Sequence, residues 1–455
     1  MAEENVPRIL IVGGGYVGMY TALRLQRKLR WRNVRITVVD PRSYMTYQPF
    51  LPEAAAGSLE PRHVVVPLRR VLKQSQVITG EVMQISHAER KARIVPRVGD
   101  AYDLPYDVLV VALGSVARTL PIPGLADFGI GFKQVEEAIA LRNHVLDRLD
   151  VAASTADEDV RRRALSFVVV GGGYAGVEAL AELQDMAKAA LKYYPYLEPH
   201  HMRWILVEAA GRILPEVSPS MGEYTVEELR RHGIEVRLDT RLASCVDGHV
   251  VLDDGTELDS DTLIWTAGAK ANPVLANTDL PLDEKGRIRC RADLRIDGVD
   301  NAWAAGDCAA VPDLTSDVPG TTVGPNAQHA VRQAKRLGDN VAAVMRGRAP
   351  EDYRHKYVGS VASLGLHEGV AEVYGVKLKG FPAWFMHRTY HLSRMPTLNR
   401  KVRIVLDWTL ALFFRREAVS LGRIHVPRDE FRRAAVPHRL VDHDQRGAGG
   451  QYAGC

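Results

Sequence analysis

The chain has only four cysteines in 455 residues, Cys245, Cys290, Cys308 and Cys455, and no two of them form a C-x-x-C pair. An enzyme that reduces disulfides with its own thiols needs such a pair, so that chemistry is excluded, and the cysteines are read as reduced thiols without a catalytic role. No run of 18 apolar residues occurs, which argues against a membrane-spanning helix. No charged-then-apolar leader with a cleavage site precedes the first expected strand, so export is not expected. Charge of neither sign dominates: a net charge of +4 gives no reason for a nucleic-acid partner. No metal is expected. What remains is a globular composition, 46% hydrophobic and 25% charged, in a chain long enough for two or three domains.

One stretch occurs twice. RILIVGGGYVGMYTALRLQ runs from Arg8 to Gln26, and SFVVVGGGYAGVEALAELQ runs from Ser166 to Gln184, without a gap between the copies. Each is a β-branched run, then G-x-G-x-x-G, then an alanine- and leucine-rich helical stretch. The glycines are Gly13, Gly15 and Gly18 in one copy and Gly171, Gly173 and Gly176 in the other. This order of strand, tight turn and helix cradles a dinucleotide pyrophosphate: the first glycine makes the turn, the second admits the phosphates and the third lets helix and strand approach. The helix N-terminus supplies free N–H groups and partial positive charge. Two such turns predict two dinucleotides.

Each copy is followed by an acid. Asp40 closes the strand Val34 to Asp40, 22 residues past Gly18, where a carboxylate accepts from ribose hydroxyls or caps the next segment. Glu208 stands 32 residues past Gly176, delayed by an insertion from Lys192 to His201. A carboxylate there favours NAD over NADP, whereas the nearby Arg212 can accept a 2′-phosphate. Between the copies, Tyr44 to Arg69 reads as a long ordered loop with a short helix near Glu53, and Gln76 to Val95 as a β-meander. Tyr106 to Gly114 is a buried strand ending in a glycine turn, Gln134 to Ala152 a helix, and Ser154 to Arg163 a polar loop. Further on, a strand brings Gly306 and Asp307 to its end, where the acid can bond the ribityl hydroxyls or phosphate-bound water of a flavin nucleotide. Pro325 to Met345 is a helix aimed at the flavin ring or a plain packing helix. Tyr357 to Val376 suggests two antiparallel strands.

The segments Phe381 to Leu392 and Val402 to Phe414 are short, aromatic and apolar, and Lys377, Lys379, Arg394, Arg400, Lys401, Arg403, Arg415 and Arg416 flank them. They are too short to span ~30 Å of hydrocarbon. Either they lie in a membrane interface, with Trp384 and Trp408 at headgroup depth and the cations on anionic lipid, or they form a dimer or domain-packing surface.

From Arg8 to about Arg423 the chain resembles the type II NADH:quinone oxidoreductases, two-dinucleotide-binding-domain flavoproteins. The landmarks are GGGYVG, DVLVVALGS, GGGYAGVEALAEL, LIWTAG, WAAGDCAAV, NAQHAVRQA and the run from GFPAWFMHR through LDWTLALFF. The resemblance implies an α/β fold of two Rossmann-like domains plus a C-terminal membrane-docking segment. The FAD domain would comprise residues 1–120 and 276–345, the NADH domain 121–275, the docking strands and helices 346–430, and a disordered tail 431–455. FAD would be held by Gly13, Gly15, Gly18, Asp40, Gly114, Gly306, Asp307, Ala327 and Gln328, and NADH by Gly171, Gly173, Gly176, Glu208 and Gly268. Glu178 is similar to a family glutamate near nicotinamide and flavin, so it is the candidate catalytic residue, as a proton relay or as a partner of the nicotinamide. Ala327 and Gln328 resemble the start of the quinone motif A-Q-x-A-x-Q, whose last glutamine falls on Arg332, with Gln333 displaced by about 100°. A guanidinium there donates to a quinone carbonyl but cannot accept.

The implied reaction passes a hydride from NADH to FAD and two electrons to a membrane quinone without proton pumping. The expected setting is peripheral, on the cytoplasmic side of an anionic membrane, with a homodimer possible. Three other readings stay open: a soluble NADH-dependent reductase of a protein acceptor, a sulfide:quinone oxidoreductase, which would need cysteines near the flavin, and a flavin- and NADH-binding redox sensor with little turnover.

Overall fold

The computed structural model describes residues 6–356, 358–414, 416 and 418–421. The expected tail lies outside them, as do Arg415 and Glu417. The chain begins with β1 (Arg8–Val12), α1 (Tyr16–Lys28) and β2 (Arg35–Asp40), then a loop bearing the short helices α2 (Leu51–Ala55) and α3 (Leu68–Val71). A meander follows as β3 (Gln76–Ser86), β4 (Lys91–Pro96) and β5 (Tyr102–Pro105), ahead of β6 (Val108–Val111). Next come β7 (Ile130–Gly131), α4 (Val135–Ser154) and α5 (Glu158–Ala164). The second copy of the repeat supplies β8 (Ser166–Val170) and α6 (Tyr174–Ala190), with β9 (Arg203–Val207), β10 (Ile234–Arg237) and β11 (Thr262–Trp265) after it. The chain then returns through β12 (Ala302–Ala304) and α7 (Ala327–Val344). It closes with β13 (Gly359–Ser363), β14 (Gly369–Val373), β15 (Val376–Lys379), α8 (Phe381–Arg394) and α9 (Leu398–Phe413).

The two copies of the repeat build the centres of two separate sheets. In the first the order is β12-β6-β1-β2-β3-β4-β5, parallel from β12 to β3 and antiparallel beyond. In the second it is β7-β11-β8-β9-β10, parallel throughout. β1 and β8 are flanked by strands on both sides and covered on both faces, which is why their residues are continuously apolar rather than alternating. The register is also repeated: Val12 faces Val39 as Val170 faces Val207. Both glycine turns therefore leave the carboxyl ends of equivalent strands, where open parallel sheets bind ligands.

Two expectations need correction. The segment from Ser154 to Arg163 is not a loop throughout, because α5 forms within it. Asp157 caps that helix by accepting from Asp159 N and Val160 N at 2.9 and 3.3 Å, and Glu158 and Asp159 pair with Arg161 and Arg162 one turn on. Its polar sequence hides it from an apolar periodicity. The C-terminal hairpin is also a three-stranded sheet, β13-β14-β15, against which α8 packs. The Lys192 to His201 insertion folds into two 3-10 turns and is anchored by Tyr194, whose hydroxyl donates to Asp150 Oδ1 at 2.7 Å. Among the described residues no helix is long and apolar enough to cross a membrane.

Candidate functional site

The turns themselves explain most of their glycines. Gly13 has φ +101° and Gly171 +118°, both in the left-handed region. A Cβ on Gly18 would stand 1.7 Å from Gly13 O, and one on Gly176 1.9 Å from Gly171 O, so helix and strand touch there through bare backbone. Gly15 and Gly173 differ: a Cβ on either would meet nothing within 4 Å. The protein's own packing does not require glycine at these two positions. That leaves the backbone there open to the close approach of a ligand.

Each acid secures its turn. Asp40 accepts from Gly14 N at 2.6 Å and from Arg42 N at 2.7 Å. Burial raises its pKa, and those two bonds offset only part of the rise. Glu208 accepts from Gly172 N at 2.5 Å and from Ala210 N at 2.8 Å. The guanidinium of Arg212 donates to the Val217 carbonyl. Gly268, at φ +87°, follows β11 beside the second turn, and its N–H donates to Thr266 O.

Gly13, Gly15, Asp40, Gly114, Gly306 and Asp307 line one 230 Å³ cavity. Ser115, Gly306 and Asp307 also border a 600 Å³ cavity, and Gln48 is shared with a third of 510 Å³. The spaces thus run on from Asp40, past Asp307, to Gln328 and Glu178, an elongated path suited to an elongated dinucleotide. Gln333, displaced from the quinone motif, is buried and accepts from Gly306 N at 2.7 Å, fixing the turn that carries Asp307. Sequence reading missed Lys133. Its ammonium donates to Ser115 Oγ at 2.6 Å, and Ser115 Oγ donates to Asp307 Oδ2 at 2.7 Å. Burial lowers the Lys133 pKa against the pull of Asp307 and Glu137. No local pattern marks this lysine.

Ala327, Gln328 and Arg332 border the 510 Å³ cavity together with Glu178, Tyr390 and His391. Asn326 caps α7 by accepting from Gln328 N at 2.7 Å, so the helix N-terminus faces this space. Gln328 Nε2 donates to Gly359 O at 2.8 Å, while its buried Oε1 has no partner among the described residues. Arg332 Nη1 donates to Gln328 O at 3.0 Å, and the displaced Gln333 points to the other side of the helix.

Glu178 is buried. Its Oε1 accepts from Ser363 N at 2.9 Å and lies 3.0 Å from His387 Nε2. Burial would depress the His387 pKa, but the facing Glu178 carboxylate outweighs it and the net shift is upward. His391, one turn along α8, shifts well downward through burial and the nearby His387. A second buried pair sits alongside: Arg388 lies 3.0 Å from Glu53 Oε2, which also accepts from Trp408 Nε1 at 2.8 Å. The Arg388 guanidinium is stacked between Trp384 at 4.1 Å and Trp408 at 4.9 Å. A third, Arg416 with Glu182 at 3.5 Å, adjoins Ser363, whose hydroxyl donates to Glu182 Oε1 at 3.2 Å. Burial pushes the Glu182 carboxyl up.

These contacts correct the expected place of the tryptophans. Trp384 and Trp408 are turned inward onto Arg388 rather than outward to the exposed face. The outward face carries other residues: Phe381 and Phe385 on α8, and Leu398, Val402, Val405, Leu406, Leu410, Leu412 and Phe413 on α9. Leu412 and Phe413 are each 78% exposed, whereas Ile404 on the opposite side is fully buried. A continuous apolar face of this kind is not ordinary scatter on a soluble surface.

Comparison with known proteins agrees with this architecture. Residues 7–334 match the family model described as pyridine nucleotide-disulphide oxidoreductase. The three described cysteines are free and buried. The chain is 32% identical over 393 residues to the type II NADH:quinone oxidoreductase of Staphylococcus aureus, covering 85% of this chain and 94% of that protein. The Staphylococcus haemolyticus protein of the same name is 31% identical over the same extents. Among solved structures, NDH2 from Plasmodium falciparum in complex with NADH superposes with a TM-score of 0.84 at 18% identity, over 91% of this chain and 99% of that one.

Proposed function

Because the chain belongs to the type II NADH:quinone oxidoreductases, we propose that its two glycine turns divide the cofactor work and that its C-terminal helices dock it on an anionic membrane. The family's activity is NADH-to-quinone oxidoreduction by a flavoprotein. Bound FAD supplies a ring that takes a hydride from NADH and returns two electrons to quinone.

The chain's own residues bind, orient and protonate. Gly13, Gly15 and Gly18 hold the FAD pyrophosphate, Asp40 its adenosine ribose, and Gly114, Gly306 and Asp307 its middle. Ala327 and Gln328 meet the ring at the N-terminus of α7, whose partial positive charge favours an electron-rich ring. Gly171, Gly173, Gly176 and Gly268 hold NADH, with Glu208 on its ribose. Gln328 and Arg332 face the quinone, Arg332 as a donor. Glu178, paired with His387, is placed to hold a proton for the acceptor. The observation that carries this reading is the run of adjoining cavities between Asp40 and Glu178, bordered at its far end by α8.

The test is steady-state NADH oxidation with a panel of quinones. Flavin that NADH reduces but no quinone reoxidises would overturn the enzyme reading in favour of a sensor. Reoxidation by a ferredoxin-like protein alone would favour the soluble reductase.

Two outcomes follow for the parts. Glu208→Gln removes a charge that opposes the 2′-phosphate, an interaction of about 3–4 kcal/mol at 5 Å and an effective dielectric near 20. Preference for NADH over NADPH, measured as the ratio of kcat/KM values, is expected to fall at least tenfold, and an unchanged ratio would place the ribose acid elsewhere. Leu406→Glu with Leu410→Glu puts two charges on the exposed face of α9 and forfeits burial of about 1.5–3 kcal/mol per leucine. Vesicle binding is expected to fall more than a hundredfold, with turnover of a water-soluble quinone retained. If the paired variant instead converts a dimer into a monomer and leaves vesicle binding alone, the face is a homodimer contact. The proposed location is peripheral, on the cytoplasmic side, where NADH is available.

A further inference from the structure

At the start of α9, α3 and the α8–α9 turn enclose a notch of 230 Å³ lined by Pro67, Arg70, Val71, Lys73, Thr397, Asn399 and Arg400. Its three charged side chains are all cations. Arg400 is fixed there by its Nε, which donates to Val65 O at 2.8 Å, a bond that orients the guanidinium without neutralising it. Burial lowers its pKa, Arg403 and Arg70 lower it further, and no carboxylate counters them. Among the described residues, no acid forms an ion pair with Arg70, Lys73 or Arg400. Asp407, the one acid on α9, is already engaged: it accepts from Glu60 N at 3.2 Å and lies 2.6 Å from His63 Nδ1.

Holding three cations around one small space costs free energy in the isolated protein, and an anion in the notch relieves it. What adjoins the notch narrows the class of anion. Leu398 is 76% exposed and Val402 49%, and both belong to the apolar face of α9, so the ligand that satisfies both surfaces is anionic at one end and apolar at the other. Thr397 and Asn399 add polar atoms at the rim, and the helix N-terminus adds partial positive charge.

We propose that this notch takes the phosphodiester of an anionic phospholipid, whose acyl chains lie against Leu398 and Val402. This rests on the membrane-docking reading and adds one discrete headgroup contact to an otherwise diffuse basic rim. A diffuse rim responds only to surface charge. A built contact responds to the chemistry of the anion.

The experiment compares binding of the intact, flavin-loaded protein to two sets of phosphatidylcholine vesicles, one containing phosphatidylglycerol and one containing oleate, matched in electrophoretic mobility. The wild type is expected to bind the phosphatidylglycerol vesicles about tenfold more tightly. Arg70→Gln with Lys73→Gln should bring that ratio close to one. Lys377→Gln with Lys379→Gln, which removes the same charge away from the notch, on β15, should leave the ratio near ten. Flavin content and turnover of a water-soluble quinone serve as the folding check, since Arg70 and Lys73 are exposed. Equal binding of the wild type to both vesicles, or a ratio that survives Arg70→Gln with Lys73→Gln, would overturn the headgroup contact while leaving docking intact. Failure of the wild type to bind either vesicle would overturn docking and the headgroup contact together.

Discussion

Glu178→Gln is expected to cut quinone-dependent turnover by about a hundredfold or more while flavin reduction by NADH, followed by stopped-flow absorbance, stays within a few-fold of wild type. The substitution keeps the size of the side chain and removes its capacity to hold a proton or a charge. Glu178 borders the cavity that Gln328, Arg332 and His391 also line, and the two protons that quinone reduction consumes need a titratable group there. Hydride transfer needs orientation rather than an acid or base, so it should not feel the change. If flavin reduction slows as much as turnover does, Glu178 positions the nicotinamide and is not the proton holder.

The same variant has a signature in pH. His387 owes its upward shift to Glu178, so the pair's contribution to stability is complete below the unfolded histidine value of about 6.5 and is lost as pH rises through the higher folded value. Thermal melts of the wild type should therefore lose stability above pH 6.5 from this source, and Glu178→Gln should flatten that part of the profile.

Arg388→Ala is expected to lower stability by about 3–5 kcal/mol, because it removes the cation paired with the buried Glu53 carboxyl. It also removes the guanidinium stacked between Trp384 and Trp408, the joint between α8, α9 and the loop bearing α2. The check is the urea midpoint followed by flavin fluorescence, with limited proteolysis after α8 as a second readout. An unfolding free energy within about 0.5 kcal/mol of wild type would mean that water reaches Glu53 and that the pair is not sealed. Exposed pairs such as Arg162–Asp159 should give no measurable change when broken.

The parts of the molecule that could be read from sequence are those set by local backbone chemistry. The left-handed turns at Gly13 and Gly171, the close approaches at Gly18 and Gly176, and the continuous burial of β1 and β8 each leave a pattern within about twenty residues. Asp40 and Glu208 were legible because each stands at the end of the apolar strand that follows the turn's helix, β2 and β9. The rest depends on contacts between distant segments. His387 and Glu178 meet across more than two hundred residues of chain, and although His387 and His391 stand at helical spacing, nothing nearby says which carboxylate they face. Lys133 precedes an ordinary helix cap and becomes notable only when Ser115 and Asp307 arrive beside it. Composition placed aromatic and basic residues in α8 and α9 but could not tell the inward tryptophans from the outward leucines, since both suit an amphipathic helix. α5 went unread because it is held by its cap and ion pairs.

α8 presents Phe381 and Phe385 to the outside and Tyr390 and His391 to the chamber within, so the wall between the two is one helix thick, about 10 Å. That thickness sets how the two substrates are counted. On the proposed docking, NADH arrives from a volume and is measured in moles per litre, whereas a quinone reaching Glu178 past such a wall would arrive from a sheet and be measured as a mole fraction of lipid. Diluting the protein and its membrane together in buffer changes the first quantity and leaves the second untouched.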